Sequence, residues 1–213
     1  MSDARNAILQ RLRQGQAQQA KPVEVPLRSP SQVSLEDFCE HLQNAHAQVI
    51  HCRPSDWLST VVQRLASHGT SLACGRSAEG QQLHQAALEQ GLNVCWYDEQ
   101  LDKQQLFDQV DVGFSVAQAG LAATGSLVVE TGPDEPRMLS LVPPLSIVLL
   151  RRSTLLADFN AYVQQRGDAA MPTNLLLISG PSKTADIQQT LAYGAHGPKE
   201  LWVLLVNDVE EPA

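Results

Sequence analysis

The chain has little that could hold a redox centre or cross a bilayer. Its four cysteines, Cys39, Cys52, Cys74 and Cys95, are scattered singly with no Cys-x-x-Cys pair, so no iron–sulfur ligand set is written into it. Cys74 and Cys95 each lie in a short apolar stretch, which predicts inert, buried thiols. The histidines at 41, 46, 51, 68 and 84 show no ligand spacing with cysteines or carboxylates, so no metal is expected. No apolar run approaches the ~20 residues that span a membrane, and no basic segment leads into an apolar one, which together predict a cytoplasmic chain without membrane insertion. Neither a nucleophile elbow nor a Ser-His-Asp order is present. Aromatics make up only 5% of the residues, the net charge is −8, and the basic residues form no stripe, so nucleic acid is excluded as a general partner.

What is present is apolar material in regular alternation. Hydrophobic residues are 43% of the 213, enough for a full core. A helix is expected from Ser2 to about Arg13, with Ile8, Leu9 and Leu12 on a thin stripe that docks on the body or on another subunit, followed by a proline-bearing connector. Residues 1–30 therefore read as an arm, and 31–213 as one α/β domain. Within it, Ser34 caps a helix bearing Phe38 and Leu42, and Gln48–Cys52 reads as a strand. Helical patterns after Pro54 and from Gln81 to Gln90 alternate with strands at Ser71–Cys74 and Leu92–Trp96, with Gly69 and Gly91 closing the helices. Strands are also expected at 112–117, 126–130 and 145–150, and a helix capped by Ser153 carrying Leu155, Leu156, Phe159 and Val163. Helix and strand trade places at the spacing of βαβ units, which predicts a single domain with a mainly parallel sheet flanked by helices.

One stretch stands apart, Leu175-Leu176-Leu177-Ile178-Ser179-Gly180-Pro181-Ser182-Lys183-Thr184-Ala185-Asp186-Ile187. An apolar strand is cut off by Ser-Gly-Pro, and a helix is expected next, with Ser182 or Thr184 as N-cap and Ile187 and Leu191 on one face. Such a turn can present Ser179, Gly180, Ser182, Lys183 and Thr184 to an anion; an ordinary capped connection has the same composition. Thr124-Gly125-Ser126 forms a second glycine-bearing corner between two strands, expected at the carboxyl edge of the sheet beside the first. Arg137 follows an acidic loop and can pair with Asp134 or Glu135, while His196 sits in a turn where it can cap a helix end.

The run Ile178–Ile187, with Tyr193-Gly194-Ala195-His196-Gly197-Pro198 and Leu201–Leu205, resembles the signature of the lactate utilization protein C family, whose core is the lactate utilization domain. The likeness extends to Gly120–Val128, to Arg137, Leu139, Ser140, Leu141, Pro143 and Pro144, and to the opening Arg5–Leu12. It implies an α/β fold of the ribose-5-phosphate isomerase and coenzyme A transferase kind. It also implies a cluster-free subunit that works with two iron–sulfur partner proteins in oxidising L-lactate to pyruvate, the clusters residing in the partners. A small anionic or nucleotide-like ligand would then be held by Thr124, Gly125, Ser126, Arg137, Ser179, Gly180, Ser182, Lys183, Thr184 and His196. Many relatives have glutamate where this chain has Ala123, so that carboxylate's role is missing here. The alternatives are a free-standing enzyme on a phosphorylated or coenzyme A-linked substrate, and a regulatory or assembly factor for lactate utilization.

Overall fold

The computed structural model describes residues 2–16, 33–66, 71–97, 103–185, 191–193 and 197–209. In chain order the elements are α1 (Ser2–Gln16), α2 (Leu35–Asn44), β1 (Gln48–Cys52), α3 (Trp57–Ala66), β2 (Leu72–Cys74), α4 (Ala78–Glu89) and β3 (Val94–Trp96). There follow α5 (Lys103–Gln109), β4 (Val112–Val116), β5 (Ala119–Leu121), β6 (Ser126–Thr131), α6 (Met138–Leu141) and β7 (Leu145–Arg151). A 3₁₀ turn at Arg152–Thr154 leads to β8 (Leu155–Leu156), α7 (Phe159–Arg166), β9 (Asn174–Ile178), β10 (Lys183–Ala185), β11 (Leu191–Tyr193) and β12 (Glu200–Val206).

The main sheet has six strands in the order β1-β12-β7-β4-β2-β3, all parallel. Its central strands β7 and β12 are apolar over most of their length because both faces are covered. Along β7 and β12 successive side chains divide between two cores, as the two-residue period of a strand requires. Ile147, Leu149, Trp202 and Leu204 join Trp57, Val61, Leu83 and Phe114 under α3 and α4. Val148, Leu150, Val203 and Leu205 face the other way, against Phe38 and Leu42 of α2 and Leu127 and Val129 of β6. That second face is closed by a four-stranded sheet, β8-β5-β6-β9, in which β6 pairs antiparallel with both β5 and β9.

Local chemistry explains most boundaries. The Ser34 hydroxyl accepts from the Asp37 amide at 3.0 Å, and Ser77 caps α4 through the Gly80 amide. Gly91 ends that helix at φ +70°.

Several expectations are corrected. Leu155 and Leu156 form a strand, so the helix starts later, at Phe159, capped by Asp158, which accepts from the Ala161 amide at 2.9 Å. Ser153 instead donates to Asp208 at 2.6 Å. Phe159 and Val163 are exposed and Tyr162 is the buried residue of α7. The stripe on α1 is not docked, Ile8 and Leu12 each remaining 60% exposed. No helix begins at Ser182 or Thr184: Lys183–Ala185 is a strand, paired antiparallel with Leu191–Tyr193. Gly69 lies outside the described residues.

Candidate functional site

The two corners picked out in the sequence meet. Ser126 at the start of β6 and Ser179 just past β9 lie side by side because β6 and β9 pair with Leu127 opposite Ile178. Their hydroxyl oxygens are 2.7 Å apart, and Thr124 Oγ1 is 2.8 Å from Ser126 Oγ, so three hydroxyls form one chain. Ser126 is buried, while Thr124 and Ser179 reach the surface.

The glycines at these corners serve packing. Gly125, at φ +60°, brings the turn so close to α2 that an added Cβ would stand 2.5 Å from His41 Cβ. At Gly180 the same atom would lie 2.9 Å from the Ala45 carbonyl oxygen. Both corners are therefore pressed against the C-terminal end of α2. The turn after β9 presents fewer amides than an anion cradle would need, since the Ser182 N–H donates to the Pro198 carbonyl at 2.8 Å and residues 183–185 belong to a strand.

Beside the hydroxyl chain lies a cavity of about 200 Å³, lined by Ser140, Ser146, Ser179, Gly180, Ser182 and Gly197 with apolar walls from Leu177 and Leu201. Ser146 and Leu201 are early residues of β7 and β12, so this cavity opens at the amino ends of the parallel strands. The expectation of the carboxyl edge is thus corrected: the corners belong to the smaller sheet, whose strands run in both directions. Ser146 Oγ is buried and has no hydrogen-bond partner among the described residues.

Of the other expected residues, Lys183 is exposed on β10, opposite Tyr193, and Thr184 follows it in the same strand. Arg137 is exposed and forms no ion pair with Asp134 or Glu135 among the described residues; its carbonyl accepts from the Ser140 hydroxyl at 3.2 Å, its nearest link to the cavity. His196 lies outside the described residues. No group of three His, Cys, Asp or Glu that could hold a metal occurs among the described residues.

Sequence reasoning did not place Ser140, noted only for the family likeness, or Ser146 in the site, and it misjudged Glu135. That side chain turns inward, only 8% exposed, between the ends of β2 and β4. Its Oε1 and the Ser115 Oγ both lack a partner among the described residues. Burial pushes the carboxyl up to about 7, against the pull of the nearby Ser77 hydroxyl, Val116 backbone and Ser115 hydroxyl; Glu79 adds to the rise. The strap that carries it is tied down by the Asp134 carbonyl, which accepts from the Arg76 and Ser77 amides at 2.8 and 3.2 Å. Only the fold could reveal this, since an acid in a Gly-Pro-Asp-Glu-Pro loop reads as solvated.

Comparison with known proteins adds lineage to this geometry. Residues 35–206 match the family model described as the LUD domain. An uncharacterized protein of Neisseria meningitidis, NMB1437, is 38% identical over 180 residues, covering 81% of this chain and 76% of that protein. Lactate utilization protein C of an Exiguobacterium is 26% identical over 200 residues, 89% of this chain and 85% of that one. A DUF162 family protein from Deinococcus radiodurans superposes with a TM-score of 0.63 at 19% identity, over 81% of this chain and 96% of that chain, and so shares the fold. With the family model spanning most of the chain and the parallel sheet and its covering helices lying inside the match, the chain belongs to the LUD domain family.

Proposed function

We propose that this chain is the cluster-free subunit of a lactate-oxidising system, which binds a small anion and docks two iron–sulfur proteins that carry the electrons. The scattered cysteines support a division of labour in which the clusters lie in partners. Kinship with proteins named for lactate utilization supplies the pathway.

The observation that carries the ligand is the hydroxyl chain of Thr124, Ser126 and Ser179 beside a cavity whose buried Ser146 Oγ has no partner. Hydroxyls can donate to a carboxylate and accept from a hydroxyl, which suits a 2-hydroxy or 2-keto acid. A volume of about 200 Å³ favours such a molecule over a nucleotide, since cofactor pockets run to about 300–1,000 Å³. Lys183, exposed on the adjoining strand, and Arg137, exposed in the turn whose carbonyl accepts from the Ser140 hydroxyl, would add positive charge at the mouth.

The test is reconstitution. The chain is purified alone and with its candidate iron–sulfur partners, and lactate-dependent dye reduction is followed. The reading requires activity only in the complex and its loss when this chain is left out. Turnover by the isolated chain would instead mark a free-standing enzyme, and a complex indifferent to its removal would mark an assembly factor.

A further inference from the structure

The carboxyl edge of the parallel sheet carries a different chemistry from the serine cavity. In a chain of net charge −8, arginines cluster where the strands end: Arg53 follows β1, Arg76 lies two residues past β2, Arg151 ends β7 and Arg152 follows it. Of these, Arg151 is ion-paired with Glu79 at 2.6 Å and Arg76 lies over the Trp96 ring, while Arg53 and Arg152 line one cavity, where a local group of cations can oppose the global sign. In open α/β sheets that edge is where loops leave the strands and ligands are received.

A cavity of about 580 Å³ opens there, at the ends of β1, β12 and β7, lined by His51, Arg53, Asp56, Arg152, Leu205 and Asn207. Its walls are built. The Asn207 amide donates to the Cys52 carbonyl at 2.8 Å, locking the ends of β1 and β12 together, and Asn207 Oδ1 accepts from Arg152 Nη1 at 3.0 Å, which holds that guanidinium in place. The nearby acids are hydrogen-bonded within the walls. Asp56 Oδ1 accepts from the Arg53 amide at 2.6 Å, and the Asp208 carboxylate is taken up by the Ser153 amide and hydroxyl at 2.9 and 2.6 Å. Among the described lining residues are two arginines and one carboxylate, Asp56.

We infer that this cavity is a second ligand site, taking a phosphorylated small molecule of nucleotide size, its phosphates between Arg53 and Arg152 and its organic part against Leu205 and Leu35. A planar guanidinium matches two phosphate oxygens at once, and a pair of them on separate loops suits a diphosphate better than a single phosphate. The volume falls inside the range of cofactor pockets, nearly three times that of the serine cavity. The site shares no residue with the serine cavity, so each can fail without the other.

Calorimetric titration of the full chain with ADP, pyrophosphate, adenosine and lactate tests it. ADP should bind with a salt-sensitive affinity and adenosine at least tenfold more weakly. Arg53→Gln and Arg152→Gln should each weaken ADP about tenfold or more, and Arg152→Lys should recover part of that loss. Ser179→Ala should leave ADP binding unchanged. Because Arg152 also braces Asn207, thermal melts of each variant accompany the titrations, and Arg53, which is exposed, provides the variant least exposed to misfolding. Absence of ADP and pyrophosphate binding at millimolar concentration would overturn the inference, as would binding that both substitutions leave intact or adenosine binding as tight as ADP.

Discussion

Ser126 and Ser179 stand 53 positions apart in the chain, and their hydroxyl oxygens are 2.7 Å apart. A contact of that separation is made only when β6 and β9 have paired, so it reports on the smaller sheet as well as on the serine cavity. Ser126→Ala and Ser179→Ala should each cost about 1 kcal/mol, with the double substitution costing less than their sum because the two act through one bond. Chemical denaturation of the four proteins of the cycle measures this. Additive losses would show that the hydroxyls act separately.

Glu135 makes stability depend on pH. Between the ordinary carboxyl value of 4.5 and about 7, the folded chain keeps a proton that the unfolded chain has released, so stability should fall as pH rises through that window, by about 3 kcal/mol at most. Glu135→Gln keeps the shape and removes the titration, and should flatten this part of the profile. Denaturation midpoints at pH 5 and pH 7.5 for both proteins give the answer, and a variant profile parallel to the wild type would assign the dependence to other groups.

Gly125→Ala should lower the melting temperature by several degrees. The residue occupies φ +60°, where a Cβ is strained, and that Cβ would stand 2.5 Å from His41 Cβ and 3.0 Å from the Leu42 amide nitrogen. The cost is about 1–3 kcal/mol, and the serine corner would shift away from α2. Gly132→Ala, which meets nothing within 4 Å, is the control expected to melt like the wild type.

Thiol chemistry should distinguish folded from unfolded chain. Cys52 and Cys74 are buried, and burial raises both thiols, Cys74 far above the ordinary range with Cys95 and Glu135 adding to it. Iodoacetamide at pH 8 should leave these two unmodified in the native protein, while mass spectrometry after denaturation should show four adducts. Rapid native alkylation of Cys74 would mean that the β3 edge of the sheet, next to β2, opens on the minute scale.

The main sheet was legible because its strands are apolar runs between turn residues, as at Gln48–Cys52, Val112–Val116, Leu145–Arg151 and Glu200–Val206, and because even the short β2 and β3 are set off by helical patterns on either side. The tail was not. Ile187 and Leu191 are four apart and Ser182 reads as a cap, a helix pattern in every local respect, yet Leu191 sits in a strand opposite Ala185. The three-residue strands β5, β10 and β11 lie among turn residues with no flanking helical pattern to set them off, and tertiary pairing decides them. The site was legible in part. Thr124, Ser126 and Ser179 could be named because glycine corners draw attention, but Ser146 lies inside an apolar strand and Glu135 inside a polar loop, where each looks ordinary. Asp158 outcompeted Ser153 as a cap because the intervening Leu155 and Leu156 pair with β5.

Strand β7 touches both cavities, with Ser146 near its start in one wall and Arg152 just past its end in the other. Six residues of extended chain hold these positions roughly 20 Å apart, and a central strand hydrogen-bonded on both sides is a stiff rod. Molecules occupying the two ends cannot collide or displace each other. Saturating one should leave the other's half-saturation point where it was, so titrations run in either order would trace the same pair of curves.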